Sequence, residues 1–278
     1  MTDVRTDTAP TLVEERPQDR GDFIWYELMS ADPEAAKTFY DEVVGWNIGS
    51  AVADYNGYRM IERSDGKPAG GILPLTAEMQ QHGARPTWLG YIHVADVDQA
   101  AREIDQDGGK LLMSHDIPNV GRIALVTDPS GAHFYIMKPI PPANDPDAKS
   151  DVFSTNQAQH VRWNELSTTD QDRAVQFYTR HFGWTQQGDM DMGEFGKYQF
   201  IQANGVGIGA IMRKPPQIPV SMWTYYIGVE DIDRAAEAIK SGGGQVMHGP
   251  MEIPGGEFSL NALDPEGAPF GLVGPRSK

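Results

Sequence analysis

The chain has 278 residues, 40% of them hydrophobic, which suits one large or two ordinary globular domains. Acidic residues outnumber basic residues 39 to 23, and the formal net charge of −16 would repel a phosphate backbone, so nucleic acid is excluded as an expected partner. The sequence contains no cysteine, which excludes disulfides, thiolate metal sites and cysteine nucleophiles.

The N-terminal segment is polar and charged throughout. Residues 1–21 contain no apolar run of signal-peptide length and none that would span a membrane. A segment of this composition buries too little apolar surface to order by itself. We therefore expect a flexible extension, no membrane partner and a cytoplasmic location.

The rest of the chain repeats itself. Three blocks of one half match three blocks of the other half in the same order. The matched blocks begin at Trp25 and Trp163, at Trp88 and Trp223, and at Asp128 and Asp264. This order predicts a duplicated domain, with copies at 22–140 and 160–276 joined by a linker at 141–159 that is rich in Pro, Asp and Ser.

Each copy reads as strand, helix and strands, followed by the same scheme again. Residues 24–29 alternate as a two-faced strand does. Asp32 is the expected N-cap of a helix with Pro33 in its first turn, and Asp96 is the expected cap of the next helix. The apolar stripes of these helices, including Phe39, Tyr40, Phe177 and Tyr178, are predicted to be core. Further strands are expected in the first copy at 58–62, 71–75, 122–127 and 133–137.

These motifs resemble a known family. D-x-x-x-A-x-x-F-Y followed by G-W, then V-x-D-[VI]-D, then D-P-x-G-A occur in both copies, and this series is similar to the vicinal oxygen chelate superfamily of glyoxalases, bleomycin resistance proteins and extradiol dioxygenases. The resemblance implies an α+β fold of two tandem domains, each made of paired βαβββ modules that form open, cup-shaped mixed sheets.

The resemblance also implies where a metal ion would be bound. The positions of the family's His, Gln and Glu ligands are occupied by Trp25, Leu89 and Tyr135 in the first copy. In the second copy they are Trp163, Thr224 and Gly271. None of these side chains is a good ligand for a divalent ion, so we expect no metal cofactor, and extradiol dioxygenase activity is disfavoured.

A displaced divalent metal site in the first copy is the alternative. Strand alternation places Glu27, His93 and His133 on the face that the family comparison makes the interior of the cup. Each lies two or more residues from its family position. The alternative is that these histidines form hydrogen bonds along the wall of the cup and bind no metal. The remaining histidines are expected at the surface. They are His82, His115, His160, His181 and His248.

The candidate catalytic residues are Glu27 and Glu165, which hold the same position in both copies beside aromatic residues. Burial would raise their pKa toward general acid or base work, although carboxylates with a purely structural role would fit the same pattern. The remaining candidates are expected to bind the ligand, unless their rings simply fill the cups. They are Trp25, Tyr91, His93, His133 and Tyr135 in the first copy, and Trp163, Thr224 and Tyr226 in the second.

The resulting hypothesis is a protein that binds or transforms a small apolar or aromatic metabolite without metal, with a homodimer as one compatible assembly. Two alternatives stay open. One is a metal-dependent glyoxalase-type lyase or isomerase, and the other is a degenerate binding or resistance protein in which one copy is only a scaffold. The first copy has the richer set of polar residues and is the expected working site.

Overall fold

The computed structural model describes residues 20–277 and contains two eight-stranded mixed sheets. The first sheet consists of β1 (Phe23–Ser30), β2 (Asn47–Ile48), β3 (Arg59–Glu62), β4 (Pro68–Pro74), β5 (Thr87–His93), β6 (Lys110–Ile117), β7 (Gly121–Thr127) and β8 (His133–Pro139). The second consists of β9 (Val161–Thr168), β10 (Thr185–Asp191), β11 (Lys197–Ala203), β12 (Val206–Arg213), β13 (Met222–Gly228), β14 (Gln245–Glu252), β15 (Phe258–Leu263) and β16 (Pro269–Gly274).

The strand order confirms the predicted fold class. The orders are β2-β3-β4-β1-β5-β8-β7-β6 and β10-β11-β12-β9-β13-β16-β15-β14, so each sheet joins two four-stranded modules. Within each sheet the first strands of the two modules pair antiparallel, β1 with β5 and β9 with β13. Both sheets are open, because the strands at the two ends of each order do not pair with one another.

Five helices connect these strands. They are α1 (Pro33–Val44), α2 (Ala77–Gln81), α3 (Val97–Gln106), α4 (Gln171–Phe182) and α5 (Ile232–Ser241). Asp32 and Asp96 accept hydrogen bonds from first-turn amides of α1 and α3, as predicted from the sequence. Gly45 ends α1 in the left-handed conformation (φ 82°), which glycine adopts without steric cost.

The helix-bearing faces of the two sheets share one hydrophobic core. Helix α1 packs on α5 of the other domain, and α3 packs on α4. The Tyr40 hydroxyl donates to Asp264 (3.2 Å), and the Tyr178 hydroxyl donates reciprocally to Asp128 (3.3 Å). The Phe-Tyr and Asp-Pro motifs of the repeat therefore link one domain to the other, and their aromatic residues are core, as predicted.

At the centre of this core, a large residue of one copy faces a small residue of the other. Gly90 and Tyr225 hold equivalent positions in the repeat, and the Gly90 amide donates to the Tyr225 hydroxyl (2.7 Å). A side chain at Gly90 would meet Phe23 at 2.8 Å and Tyr225 at 2.9 Å. The two copies have thus become complementary to each other rather than identical.

The segments predicted as extension and linker contact the domains where they are described. Residues 1–19 of the extension lie outside the described residues, whereas the Gly21 carbonyl accepts a hydrogen bond from Trp184 of the second domain (2.8 Å). In the linker, Asp151 pairs with Arg63 (2.8 Å) and Val152 is 1% exposed. The linker is therefore packed against the first domain. Within residues 20–277, no helix is both long and apolar enough to cross a bilayer.

Two histidines expected at the surface are buried. His160 is 6% exposed, and its Nδ1 lies 2.8 Å from the Ala158 carbonyl. His181 is 5% exposed, and its Nε2 lies 3.0 Å from the Asp107 carboxylate of the first domain. The expectation was wrong because the segments that carry them, the start of the second copy and the end of α4, pack against the first domain.

Candidate functional site

Each sheet has a second face, on the side away from the four long helices. The first face is defined by Trp25, Glu27, Leu89, Tyr91 and Tyr135, which strand alternation and register place side by side. The second face is defined by the equivalent residues Trp163, Glu165, Thr224, Tyr226 and Gly271. Most of the residues singled out in the sequence thus come together on these two faces.

On the second face, Glu165 accepts hydrogen bonds from two tyrosines. The Tyr198 hydroxyl donates to Oε2 at 2.7 Å, and the Tyr226 hydroxyl lies 3.3 Å from both carboxyl oxygens. Burial raises the pKa of Glu165, and the two hydroxyls oppose that rise. Residue Glu165 is partly buried, whereas its neighbours Thr224 and Tyr226 are buried.

Both hydroxyls are oriented toward Glu165 by groups that donate to them in turn. Trp163 Nε1 donates to the Tyr198 oxygen (2.7 Å), and Asn261 Nδ2 donates to the Tyr226 oxygen (2.9 Å). An indole N–H can only donate, so the Tyr198 proton is left to point at Glu165, and the amide does the same for Tyr226. The network thus holds Glu165 as a hydrogen-bond acceptor, the state required of a carboxylate base.

On the first face, Glu27 has a different environment. It is 4% exposed, and its Oε1 is buried with no hydrogen-bond partner among the described residues. Burial raises the pKa of Glu27 to about 7, and the hydroxyls of Tyr91 and Tyr58 partly oppose this rise. Trp25 donates to the Tyr58 hydroxyl (2.9 Å) as Trp163 does to Tyr198. Glu27 is thus the more deeply buried acid and the less well hydrogen-bonded one.

Three residues of these networks were not predicted from the sequence as site residues. They are Tyr58, Tyr198 and Asn261. Tyr58 directly precedes β3, and Tyr198 lies at the start of the equivalent strand β11. The recurrence of tyrosine at this position in both copies was the available sequence signal for a site residue. It is easily missed, because that part of the repeat carries no shared motif. Asn261 has no counterpart in the first copy, where Leu125 takes its position.

The first face is filled by its own side chains. The rings of Tyr91 and Tyr135 stack with centroids 4.3 Å apart, and Leu89 and Ile123 belong to the same buried cluster. Helix α2 contributes Met79, which packs against this cluster. The first face is consequently a second hydrophobic core rather than an open cup.

The second face has a smaller or more polar residue at five of the equivalent positions. The exchanges from the first face to the second are Met29 to Ser167, Leu89 to Thr224, Ile123 to Ser259, Leu125 to Asn261 and Tyr135 to Gly271. The connection 214–221, which replaces the segment containing α2, has no helix. Each of these exchanges removes volume or adds a polar group, and Glu165 is only partly buried where Glu27 is buried.

Gly271 makes room for the Tyr226 ring. A Cβ at this position would overlap the Tyr226 ring, which lies over the glycine. We expect Gly271→Ala to displace Tyr226 and to weaken its contact with Glu165, with a loss of stability of about 1 to 3 kcal/mol. Urea unfolding measures the loss. Gly207→Ala on β12 is the matched control, because no heavy atom lies within 4 Å of its Cβ. Equal effects of both changes would contradict this packing argument.

The displaced metal set of the first face does not assemble. Glu27 lies opposite Leu89, four residues from His93 along β5, which corresponds to roughly 13 Å. His133 is exposed, and the Nδ1 of His93 has no hydrogen-bond partner in the described part of the chain. Within residues 20–277, no three His, Cys, Asp or Glu side chains come together as a metal site. The Trp, Leu, Tyr, Thr and Gly side chains at the family positions are also unsuited to a divalent ion.

Comparison with known proteins identifies relatives over nearly the whole chain. The model of the "Glyoxalase/Bleomycin resistance protein/Dioxygenase superfamily" matches residues 23–136 and 157–272. "Putative glyoxylase CFP32" of Mycobacterium tuberculosis is 31% identical over 257 residues, which cover 90% of this chain and 94% of the relative. "Anthracycline biosynthesis protein DauV" of Streptomyces sp. is 27% identical over 266 residues, which cover 90% and 91%.

Solved structures support the same fold. An Mn(II)-bound glyoxalase from Novosphingobium aromaticivorans aligns with a TM-score of 0.62 at 16% identity, covering 93% of this chain and 83% of that one. The 2,2',3-trihydroxybiphenyl 1,2-dioxygenase from Sphingomonas wittichii also aligns with a TM-score of 0.62, at 12% identity and with coverage of 92% and 91%. At these identities the likeness concerns the fold alone.

Proposed function

Since the chain belongs to the Glyoxalase/Bleomycin resistance protein/Dioxygenase superfamily, we propose that it binds a small aromatic or apolar metabolite on the second face. The binding needs no metal ion, because the side chains at the metal-ligand positions implied by its motifs are poor ligands. The observation that carries this proposal is the contrast between the two faces. One copy fills its face with Leu89 and Tyr135, whereas the other has Thr224 and Gly271 in their place.

The lining of the second face suits such a ligand. Trp163 and Phe200 form an aromatic pair with ring centroids 6.2 Å apart. Met212 and Met222 flank Ser167 on the two neighbouring strands, and methionine side chains adapt to irregular apolar shapes. Glu165 supplies a polar anchor. If the ligand is transformed, Glu165 is the group that accepts a proton from it, since both tyrosines already donate to this carboxyl.

This assignment favours the second copy, in contrast to the expectation from the sequence that the first copy holds the working site. Glu27 is the better candidate by its pKa of about 7, but it lies beneath a closed cluster of side chains. We therefore assign Glu27 a structural role.

Refilling the second face tests the proposal. A library of planar and apolar metabolites is screened by thermal shift, and each hit is titrated by calorimetry. The double change Thr224→Leu with Asn261→Leu, called the refilled variant, gives the second face two of the side chains of the first. We expect it to weaken ligand binding at least about tenfold. The matched control, Leu89→Thr with Leu125→Asn in the first face, should leave the affinity unchanged. Equal affinity in the refilled variant would refute the second face as the site.

A glyoxalase-type lyase is the second candidate, favoured by the name of the 31% identical mycobacterial relative. Elemental analysis of protein purified without chelator or metal-affinity resin separates the two. We expect much less than one divalent ion per chain and no glyoxalase activity with or without added Mn²⁺. Near-stoichiometric metal together with metal-dependent activity would replace our proposal with this one.

A further inference from the structure

Glu165 has no lysine or arginine partner among the described residues, unlike two other half-buried acids of the chain. Asp107 is paired with Arg173 (2.8 Å), and Glu257 is paired with Arg162 (2.7 Å). For Glu165, by contrast, the influences on the pKa are burial and two tyrosine hydroxyls, and no lysine or arginine of residues 20–277 is among them. Within residues 20–277, no lysine or arginine is thus placed to compensate a negative charge on Glu165.

Aromatic rings surround this charge. The hydroxyls of Tyr198 and Tyr226 donate hydrogen bonds to the Glu165 carboxyl. Phe200 lies edge-on to both Trp163 and Tyr198, with centroids 6.2 Å and 5.9 Å away and interplanar angles of 75° and 79°. The face of an aromatic ring is negative, and it attracts a cation placed over it. A carboxylate among such rings is complementary to a positively charged group that also has apolar surface.

We propose that the second face selects an organic cation, namely a protonated amine carried on an aromatic or apolar body. This proposal rests on the function proposed above and adds the charge class of the ligand to it. The ammonium group donates to Glu165, whose two oxygens have acceptor capacity beyond the tyrosine bonds. The apolar body packs on Trp163 and Phe200. The net charge of −16 adds a long-range attraction for cations.

The first face cannot take such a ligand, although it has an equivalent acid. Glu27 is 4% exposed and is covered by the cluster that contains Leu89 and Tyr135. An ammonium group would have to displace these side chains to reach it. Glu27 therefore provides a matched control for Glu165, with the same residue type at the same position of the repeat.

Three probes of one shape and different charge test the proposal. Naphthylmethylamine, naphthylmethanol and naphthoate are titrated into the full chain at neutral pH by calorimetry. We expect the amine to bind about tenfold more tightly than the alcohol and the carboxylate to bind most weakly. Glu165→Gln should remove the advantage of the amine and leave the affinity for the alcohol unchanged. Glu27→Gln should leave the affinities for all three probes unchanged.

The outcomes separate this proposal from the one on which it rests. If amine and alcohol bind equally and both are lost in the refilled variant, the second face is a site but the charge selection is wrong. If the order of the three probes persists in Glu165→Gln, the cation is recognised elsewhere and the proposal is also wrong. If none of the three binds, both proposals fail. Should Glu165→Gln not fold, the order of affinities in the unchanged chain decides.

Discussion

Replacing Glu27 with glutamine should remove a pH-dependent loss of stability of about 3 kcal/mol. Burial raises the pKa of Glu27 from 4.5 to about 7, so the folded chain holds this proton more tightly than the unfolded chain does. The favourable contribution is fully present below pH 4.5 and is lost as the pH rises to about 7, because the buried group must then ionise. Glutamine at this position does not titrate.

The measurement is the free energy of unfolding in urea from about pH 4 to about pH 8, taken as the difference between variant and unchanged chain so that other titrations cancel. The variant should gain relative stability between about pH 4.5 and about pH 7 and then level off. Glu165→Gln is the comparison, with a change of the same sign that is smaller because Glu165 is half-buried and accepts hydrogen bonds from Tyr198 and Tyr226. A flat difference for Glu27→Gln would show that Glu27 is not a buried titrating group.

Replacing Tyr225 with alanine should destabilise both domains together by about 3 to 5 kcal/mol. The Tyr225 side chain is 0% exposed between the two sheets, and its ring contacts Tyr26 of the other domain with centroids 5.2 Å apart. Its hydroxyl accepts the hydrogen bond from the Gly90 amide. Because Gly90 has no side chain to move into the space, the cavity will not collapse easily.

Unfolding in urea, followed by tryptophan fluorescence and by circular dichroism, tests this prediction. The two signals should change together in the variant as in the unchanged chain, because the core is shared between the domains. Tyr225→Phe keeps the ring and removes the hydroxyl, so it should cost only about 1 kcal/mol. Separate transitions for the two domains, or equal losses for alanine and phenylalanine, would contradict the role assigned to the ring.

The contrast between the two faces suggests that the two domains took different roles after duplication. The helix-bearing faces became complementary to each other, as Gly90 and Tyr225 illustrate. One open face was filled, and in our proposal the other kept its space. Glu27 and Glu165 have the same sequence context, yet burial, hydrogen bonding and access differ between them.

The sequence by itself determined the fold, because the evidence for it is local and occurs twice. Capping residues such as Asp32 and Asp96, period-two strands and the matched blocks each follow from backbone geometry over a few residues. The same periodicity placed Trp25 and Glu27 on one face of β1. Only the tertiary structure decided how each face is filled, because that depends on distant side chains: α2 and Tyr135 close the first, whereas Gly271 and Asn261 position the Tyr226 ring and its hydroxyl on the second. The partners Tyr58 and Tyr198 and the buried His181 likewise depend on contacts between segments far apart in the chain, and no local pattern encodes those.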